Sequence, residues 1–422
     1  MPTLFHDVVI IGAGQAGLAL SYHLCGAGVD HVLLEQGRLG NAWREDRWES
    51  FCLVTPNWTI TLPGADYAGD DPDGFLSGDA FVEHLENWAR GFAAPVWEHV
   101  RARGVTRDAE RFVVETDLGP LHARQVVIAT ATYQTSRTPP VLAGLPKGVT
   151  VLAADQYHNP GALAPGAVLV VGSGQTGCQI AEEVNAAGRE TYLAVGRSGR
   201  LPRRYRGLDC IAWQRDMGLL DRTPDMLDDP AHRFRGDPHL SGGRGGYTLS
   251  LHDLRIAGVT LLGRVAGSRG ARLNIADDLA GCLAFADYFA ADFRAFVDQH
   301  IAALGLGAPI ATPEEMLGEP PNAGLNYPVI RELHLCAQGI STVISATGFA
   351  FDFSWVDFPV FDPHGYPITD RGSTRVPGLH FTGLNWMHKR KSGIIYGVAE
   401  DAAYLAARIV ATLPRTGASA QL

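Results

Sequence analysis

Two glycine-rich turns, spaced to hold a phosphate each, lie 160 residues apart in this chain of 422. The first is Gly12-Ala13-Gly14-Gln15-Ala16-Gly17, entered from the apolar run Val8-Val9-Ile10-Ile11. The second is Gly172-Ser173-Gly174-Gln175-Thr176-Gly177, entered from Val168-Leu169-Val170-Val171. In such a turn the first glycine permits a tight bend and the second lets a pyrophosphate approach the backbone. The third lets the helix close on the strand, and the phosphate rests on the helix N-terminus. The residues that follow differ between the copies. Glu35, 23 residues beyond Gly12, offers a carboxylate to both hydroxyls of an adenosine ribose and repels a 2′-phosphate. The second copy has no acid at its matching strand end: Ala194-Val195-Gly196 leads to Arg197 and Ser198, then Arg200. A guanidinium there matches a 2′-phosphate bidentately. FAD is therefore expected on Gly12, Gly14, Gly17 and Glu35, and NADPH on Gly172, Gly174, Gly177, Arg197 and Ser198. Two dinucleotides on one chain imply electron transfer from one to the other.

The elements that must position these groups follow from hydrophobic periodicity. Residues 7–35 form strand, turn, helix and strand, with a helical stretch from Gln15 to Cys25 stopped by Gly26-Ala27-Gly28. Alternation at residues 100–105, 111–116 and 121–128 predicts an antiparallel meander, broken by Pro139-Pro140. A second strand–helix–strand unit spans about 167–195. Residues 205–250, rich in Gly, Pro, Arg and Asp, read as an irregular insertion. Strand-like segments near residues 259–265 precede a helix over about 283–304, in which Phe285, Phe289, Phe293, Phe296 and Val297 recur at helical spacing and are expected to face the core. Residues 342–348 predict a buried strand with a small-residue turn, and residues 379–381 a last strand. That strand leads through Thr382-Gly383 to a closing helix over about 392–412. Its N-terminus, near Ser392 and Gly393, is expected to aim its dipole at the flavin. The tail 414–422 is expected to fray. The resulting division is a discontinuous FAD domain (1–160 and 336–413) around an NADPH domain (161–335).

Composition narrows the function further. Hydrophobic residues make up 46% and charged residues 19%, enough to bury large cores. A net charge of −10 argues against a partner read through its phosphate backbone, so no nucleic-acid partner is expected. No apolar run approaches the roughly 20 residues of a membrane span, and no cleavable leader is visible, so a cytoplasmic enzyme with no membrane partner is expected. None of the six cysteines forms C-x-x-C, which removes zinc spacing and a redox-active dithiol; they are expected to be reduced and mostly buried. His158, His252 and His334 lack ligand spacing and no metal is expected. The basic runs Arg203-Arg204-Tyr205-Arg206 and His388-Lys389-Arg390-Lys391 are each a solvated face, a cofactor-phosphate contact or a clamp for a carboxylate-bearing substrate.

Over nearly its whole length the chain resembles the class B flavin monooxygenases with their flavin-containing and auxin-synthesis relatives. The resemblance rests on both glycine turns, Trp43-Arg44 and Arg47-Trp48 after Glu35, and Leu53-Val54-Thr55-Pro56-Asn57-Trp58. Tyr157-His158-Asn159-Pro160, Ala346-Thr347-Gly348 and Gly383-Leu384 add to it. Residues 53–58, 201–207 and 388–393 look closest to a bacterial subgroup of flavin-dependent oxidoreductases. The resemblance implies an α/β fold of two Rossmann-like, three-layer domains of the glutathione-reductase type. It adds Trp43, Arg44, Thr347, Gly348, Gly383 and Leu384 to the cofactor-binding residues. It also implies that FAD reduced by NADPH captures O2 as a 4a-hydroperoxide that oxygenates a small nitrogen or sulfur nucleophile, an anionic one included. Asn57 is expected at the flavin edge, its alternative being a cap on the turn after Pro56, and Trp58 beside it. In one departure Ala153 stands where the family signature carries a histidine, which keeps an oxidase or reductase without oxygen insertion, and Baeyer–Villiger oxygenation of a ketone, as alternatives. A non-catalytic redox-sensing flavoprotein is a third, disfavoured by the complete second turn. A homodimer is left open.

Overall fold

Near-continuous apolar runs make strands buried on both faces, which belong in parallel sheets covered by helices. The computed structural model, which describes residues 4–109, 111–316 and 328–414, has two such sheets. The frayed tail expected after Pro414 lies outside the described residues. The first sheet has seven strands. Six run in the order Val96–Trp97, His31–Leu34, Leu4–Ile11, Gly119–Ile128, Arg111–Thr116 and Ala102–Asp108. The three strands of the predicted meander are the antiparallel side of this sheet. The seventh, Leu379–Phe381, pairs in parallel with the far half of Gly119–Ile128, register Leu379 with Val126. Helices Gln15–Gly26 and Ile395–Thr412 share one core on this sheet, with Leu18, Leu20, Val398 and Leu405 buried between them.

The second sheet has five parallel strands, in the order Thr260–Leu262, Thr191–Ala194, Ala167–Val171, Ile340–Ser345 and Thr150–Ala153. This pairing moves both expected domain boundaries. Thr150–Ala153 and Ile340–Ser345, assigned from the sequence to the FAD domain, flank one another in the second sheet. Strand partners are set by register rather than by chain order, and no local signal near residues 150 or 340 carries that information.

Three other expectations change. The insertion is not irregular throughout: it holds helix Cys210–Asp216, capped by the Asp209 carboxylate on the Ile211 amide at 2.8 Å, and packs Trp213, Leu220 and Leu240 into a core shared with Phe293, Val297 and Ile301. The long helix starts earlier, at Leu279, and its buried stripe is Leu279, Cys282, Leu283, Ala286, Ala290, Phe293, Val297 and Ile301. Phe289 and Phe296 remain 38% and 45% exposed, because Ala286 and Ala290 let the helix approach the core along a line rotated from the aromatic one. The closing helix begins at Ile395, after a 3-10 turn over Arg390–Gly393, where the Ser392 hydroxyl accepts the Lys389 amide at 2.9 Å. Of the cysteines, Cys178, Cys210 and Cys282 are buried, Cys25 and Cys52 are half-buried, and Cys336 is exposed.

Candidate functional site

The first glycine turn is crowded at its ends and open in its middle. Gly12 has φ +110°, and a Cβ there would lie 2.6 Å from the Ala129 carbonyl oxygen. One on Gly17 would lie 2.0 Å from the Gly12 carbonyl oxygen, whereas one on Gly14 would meet nothing within 4 Å. Helix Gln15–Gly26 starts at Gly14 without a side-chain cap, so its first-turn amides face that open space, a cradle that fits a pyrophosphate. Glu35 is buried. Its Oε2 accepts the Ala13 amide at 3.0 Å and its Oε1 accepts the Gly37 amide at 3.2 Å. Burial pushes its carboxyl up and these amides oppose the shift. A carboxylate has about four acceptor positions, so lone pairs remain for ribose hydroxyls.

The second turn repeats this geometry. Gly172 has φ +105°, a Cβ on it would lie 2.4 Å from the Ala346 carbonyl oxygen, and one on Gly177 would lie 1.8 Å from the Gly172 oxygen. Gly174 is again open, and helix Gln175–Ala186 again starts uncapped. The electrostatics differ. Ser173 stands where Ala13 stands in the first unit, and its hydroxyl takes the Gly196 amide at 3.0 Å, a neutral closure where the first unit uses Glu35. Arg197 is exposed and has no hydrogen bond or ion pair among the described residues; its guanidinium lies 4.6 Å from the centre of the Phe285 ring. Arg200, by contrast, is buried and paired with Asp287 at 3.0 Å, and Asp287 also receives His252 Nε2 at 2.9 Å. Of these two arginines Arg197 is the one open to a ligand, with Ser198 half-buried beside it.

Thr347 and Gly348 belong to the second seat. The Ala346 amide donates to the Val171 carbonyl at 2.8 Å, as the Ala129 amide donates to Ile11 at 2.8 Å. Ala346-Thr347-Gly348 and Ala129-Thr130-Ala131 are therefore the same element in the two units, with Gly348 at φ +91° and Ala131 at φ +60°. Sequence reasoning missed the second triplet, although both follow an apolar strand and both read Ala-Thr.

The remaining candidates divide. Trp43 Nε1 donates to Gln15 Oε1 at 2.9 Å, which fastens its loop to the first dinucleotide helix. Gly383, at φ +76°, brings the turn after the last strand so close to that helix that a Cβ would sit 2.5 Å from Ala16 Cβ; Leu384 is buried. Trp58 lies under Arg215 at 4.7 Å and edge-on to Tyr396 at 5.6 Å, by the start of the closing helix. Arg44 is spent on Glu86 and on the Leu39 carbonyl at 3.0 Å. Asn57 is buried, its Oδ1 accepting the Leu76 amide at 2.7 Å and its Nδ2 donating to the Asp71 carbonyl at 2.9 Å. Asn57 therefore does not cap the turn after Pro56, which has no side-chain cap; it is committed instead to the backbone of residues 71–76.

Most charges of the two basic runs are paired internally, which disfavours a substrate clamp; exposed Arg204 donates to the Gly246 and Gly245 carbonyls at 3.0 and 3.1 Å. Lys389 and Lys391 each pair with Asp221, at 3.0 and 2.9 Å, and with Glu400. Arg203 is buried in a two-pronged bond to Asp209, and Arg206 pairs with Asp298 at 2.8 Å. What the sequence hid is the roof of the second turn. Gln175 Nε2 donates to the Pro238 carbonyl at 2.8 Å, the His239 amide to the Gly199 carbonyl at 2.8 Å, and the His239 ring bonds the Ser173 carbonyl. Nothing in residues 237–241 carries a motif that would have found this.

Comparisons agree with this geometry. Residues 9–206 match the family described as pyridine nucleotide-disulphide oxidoreductase. The chain is 31% identical over 402 residues to an uncharacterized CzcO-like oxidoreductase of Geobacillus kaustophilus, covering 94% of this chain and 97% of that one. It is 28% identical over 219 residues to the indole-3-pyruvate monooxygenase YUCCA4 of rice, covering 47% of this chain and 49% of that one. Among solved structures, a flavin-containing monooxygenase from Stenotrophomonas maltophilia superposes with TM-score 0.64 at 20% identity, covering 97% of this chain and 99% of that one. The bacillithiol disulfide reductase of Staphylococcus aureus gives 0.63 at 12% identity, covering 98% and 100%. The fold is thus that of the two-dinucleotide oxidoreductases. The chain belongs to the CzcO-like oxidoreductases and is an oxidoreductase.

Proposed function

We propose that the protein is an NADPH-dependent flavin monooxygenase that oxygenates a small nitrogen or sulfur nucleophile. One observation carries the assignment of the two seats: Glu35 closes the first turn with a carboxylate, while Ser173 closes the second with a hydroxyl and Arg197 has no ion pair among the described residues. FAD then lies on Gly12, Gly14 and Gly17 with its ribose on Glu35, and NADPH on Gly172, Gly174 and Gly177 with its 2′-phosphate on Arg197 and Ser198. Bound flavin supplies hydride acceptance and reaction with dioxygen. The protein's part is to bind, orient and shield. First-turn amides of two uncapped helices hold the pyrophosphates, and residues 238–240 cover the second turn against water. The uncapped N-terminus of Ile395–Thr412 favours negative charge on the reduced ring. Because Lys389, Lys391, Arg203 and Arg206 are paired internally, an uncharged nucleophile suits the site better than an anionic one.

Turnover with NADPH under isotopically labelled dioxygen tests the proposal, using a panel of thioethers, tertiary amines and ketones. One labelled oxygen atom in a thioether or amine product supports it. Labelled ester from a ketone alone would replace it with Baeyer–Villiger chemistry, and hydrogen peroxide equal to the NADPH consumed, with no labelled product, would leave an oxidase.

A further inference from the structure

Apart from Phe293, which is buried, the aromatic side chains of the predicted stripe on the long helix Leu279–Leu304 do not serve the core as expected. Phe285 is half-buried and Phe289 and Phe296 keep substantial exposure. Two of them touch the segment that follows the second nucleotide-binding strand. The Arg197 guanidinium lies 4.6 Å from the centre of the Phe285 ring. The α-carbon of Gly199 abuts Phe289 so closely that a Cβ there would stand 2.8 Å from the ring. A residue between them, Asp287, holds Arg200 at 3.0 Å and is itself held by His252 at 2.9 Å. Every second residue from 285 to 289 thus fixes a different member of the segment 197–200.

From this contact set, we propose that Phe285 is a positioning residue that sets the preference for a 2′-phosphorylated dinucleotide, with Phe289 and Asp287 holding the segment that carries Arg197. The inference rests on the assignment of Arg197 to that phosphate. A guanidinium on a free stem surrenders rotamer freedom when it binds. Stacked on an aromatic face it has surrendered part of that freedom already, and cation–π attraction holds the plane while its edge donors stay open. Phe285 therefore acts on the 2′-phosphate alone and not on the rest of the dinucleotide.

Calorimetry on the flavin-loaded enzyme with adenosine 2′,5′-bisphosphate and adenosine 5′-monophosphate separates the possibilities. Arg197→Ala is expected to weaken the bisphosphate about tenfold or more. Phe285→Leu is expected to weaken it about two- to fivefold while the monophosphate shifts less than about twofold. Phe285→Tyr restores the affinity, and Phe285→Leu adds nothing once Arg197 is alanine. Wild-type bisphosphate binding in Phe285→Leu, beside a weakened Arg197→Ala, overturns the role of Phe285 and leaves that of Arg197 intact. Equal weakening of both probes also overturns it, since a merely structural loss would not distinguish them. Wild-type binding in Arg197→Ala removes the underlying assignment and the inference together.

Discussion

Val195 is the structural counterpart of Glu35. Each follows the strand residue whose carbonyl receives the first glycine's amide, Leu34 from Gly12 at 2.8 Å and Ala194 from Gly172 at 3.0 Å. At one place in a repeated frame a buried carboxylate is exchanged for a buried isopropyl group. The exchange removes an acceptor for ribose hydroxyls and a negative charge that would repel phosphate. If Glu35 holds the flavin nucleotide, Glu35→Ala lowers FAD affinity about ten- to a hundredfold, the loss of one or two hydrogen bonds to a charged acceptor. The flavin retained through purification, read from visible absorbance, measures this; full occupancy in the variant would contradict it.

Arg197 is the complementary case. In steady-state assays Arg197→Ala is expected to raise the KM for NADPH about tenfold or more and that for NADH by less than about twofold. Parallel changes for both coenzymes would remove the 2′-phosphate contact.

Asn57 has a consequence for stability. Asn57→Leu orphans the Leu76 amide and takes one of two donors from the Asp71 carbonyl, which keeps the Gly74 amide at 3.3 Å. The expected cost is about 2–4 kcal/mol, measurable as a lower urea midpoint at unchanged slope. An unshifted midpoint would mean that the clamp on residues 71–76 is dispensable.

Ala131 occupies a left-handed conformation, φ +60°, at the position where the second unit carries Gly348. A Cβ there costs roughly 1–2 kcal/mol, partly offset by the greater unfolded-state freedom of glycine. Ala131→Gly is thus expected to stabilise the fold by about 0.5–1 kcal/mol, seen as a higher thermal midpoint.

Two buried histidines contribute to the response to acid. Burial lowers His239 to about 4, opposed by its bond to the Ser173 carbonyl and reinforced by Arg200. Burial lowers His380 to about 4, with Arg408 adding to the effect. Both folded-state values lie below the ordinary 6.5, so between these limits the unfolded chain binds protons that the folded one refuses. Stability is therefore expected to fall as pH drops from about 6.5 to 4, with a slope to which the two histidines contribute up to about two protons. Denaturant unfolding across that range checks the slope, and His380→Gln is expected to reduce it by about one proton.

What was legible in the sequence was whatever local chemistry dictates. Gly12, Gly14, Gly17 and their counterparts announce themselves because a bend, an approach and a close contact each exclude a side chain, and the structure shows crowding at the outer glycines and space at the middle ones. Long-range pairing was not legible. Residues 150–153 and 340–345 join the second sheet through partners far away in the chain, and an apolar run carries no address. The aromatic stripe misled for a related reason: periodicity identifies a helix, but Ala286 and Ala290 decide which side can approach a neighbour. Asn57 and the basic runs look like ligand groups because their partners, Leu76, Asp71, Asp221 and Glu400, are supplied by other segments, Glu400 by the closing helix.

The strand Gly119–Ile128 pairs along one edge with Leu4–Ile11, and divides its other edge between the meander and Leu379–Phe381. Synthesis runs from the N-terminus, so the slot beside Val126, Val127 and Ile128 stays open until residues 379–381 have left the ribosome. By then the five parallel strands between residues 150 and 345 have all emerged, and the middle of the polypeptide is free to fold ahead of the beginning. A nascent chain stalled short of residue 379 would therefore display a raw sheet margin, a grip for chaperones and a hazard for aggregation.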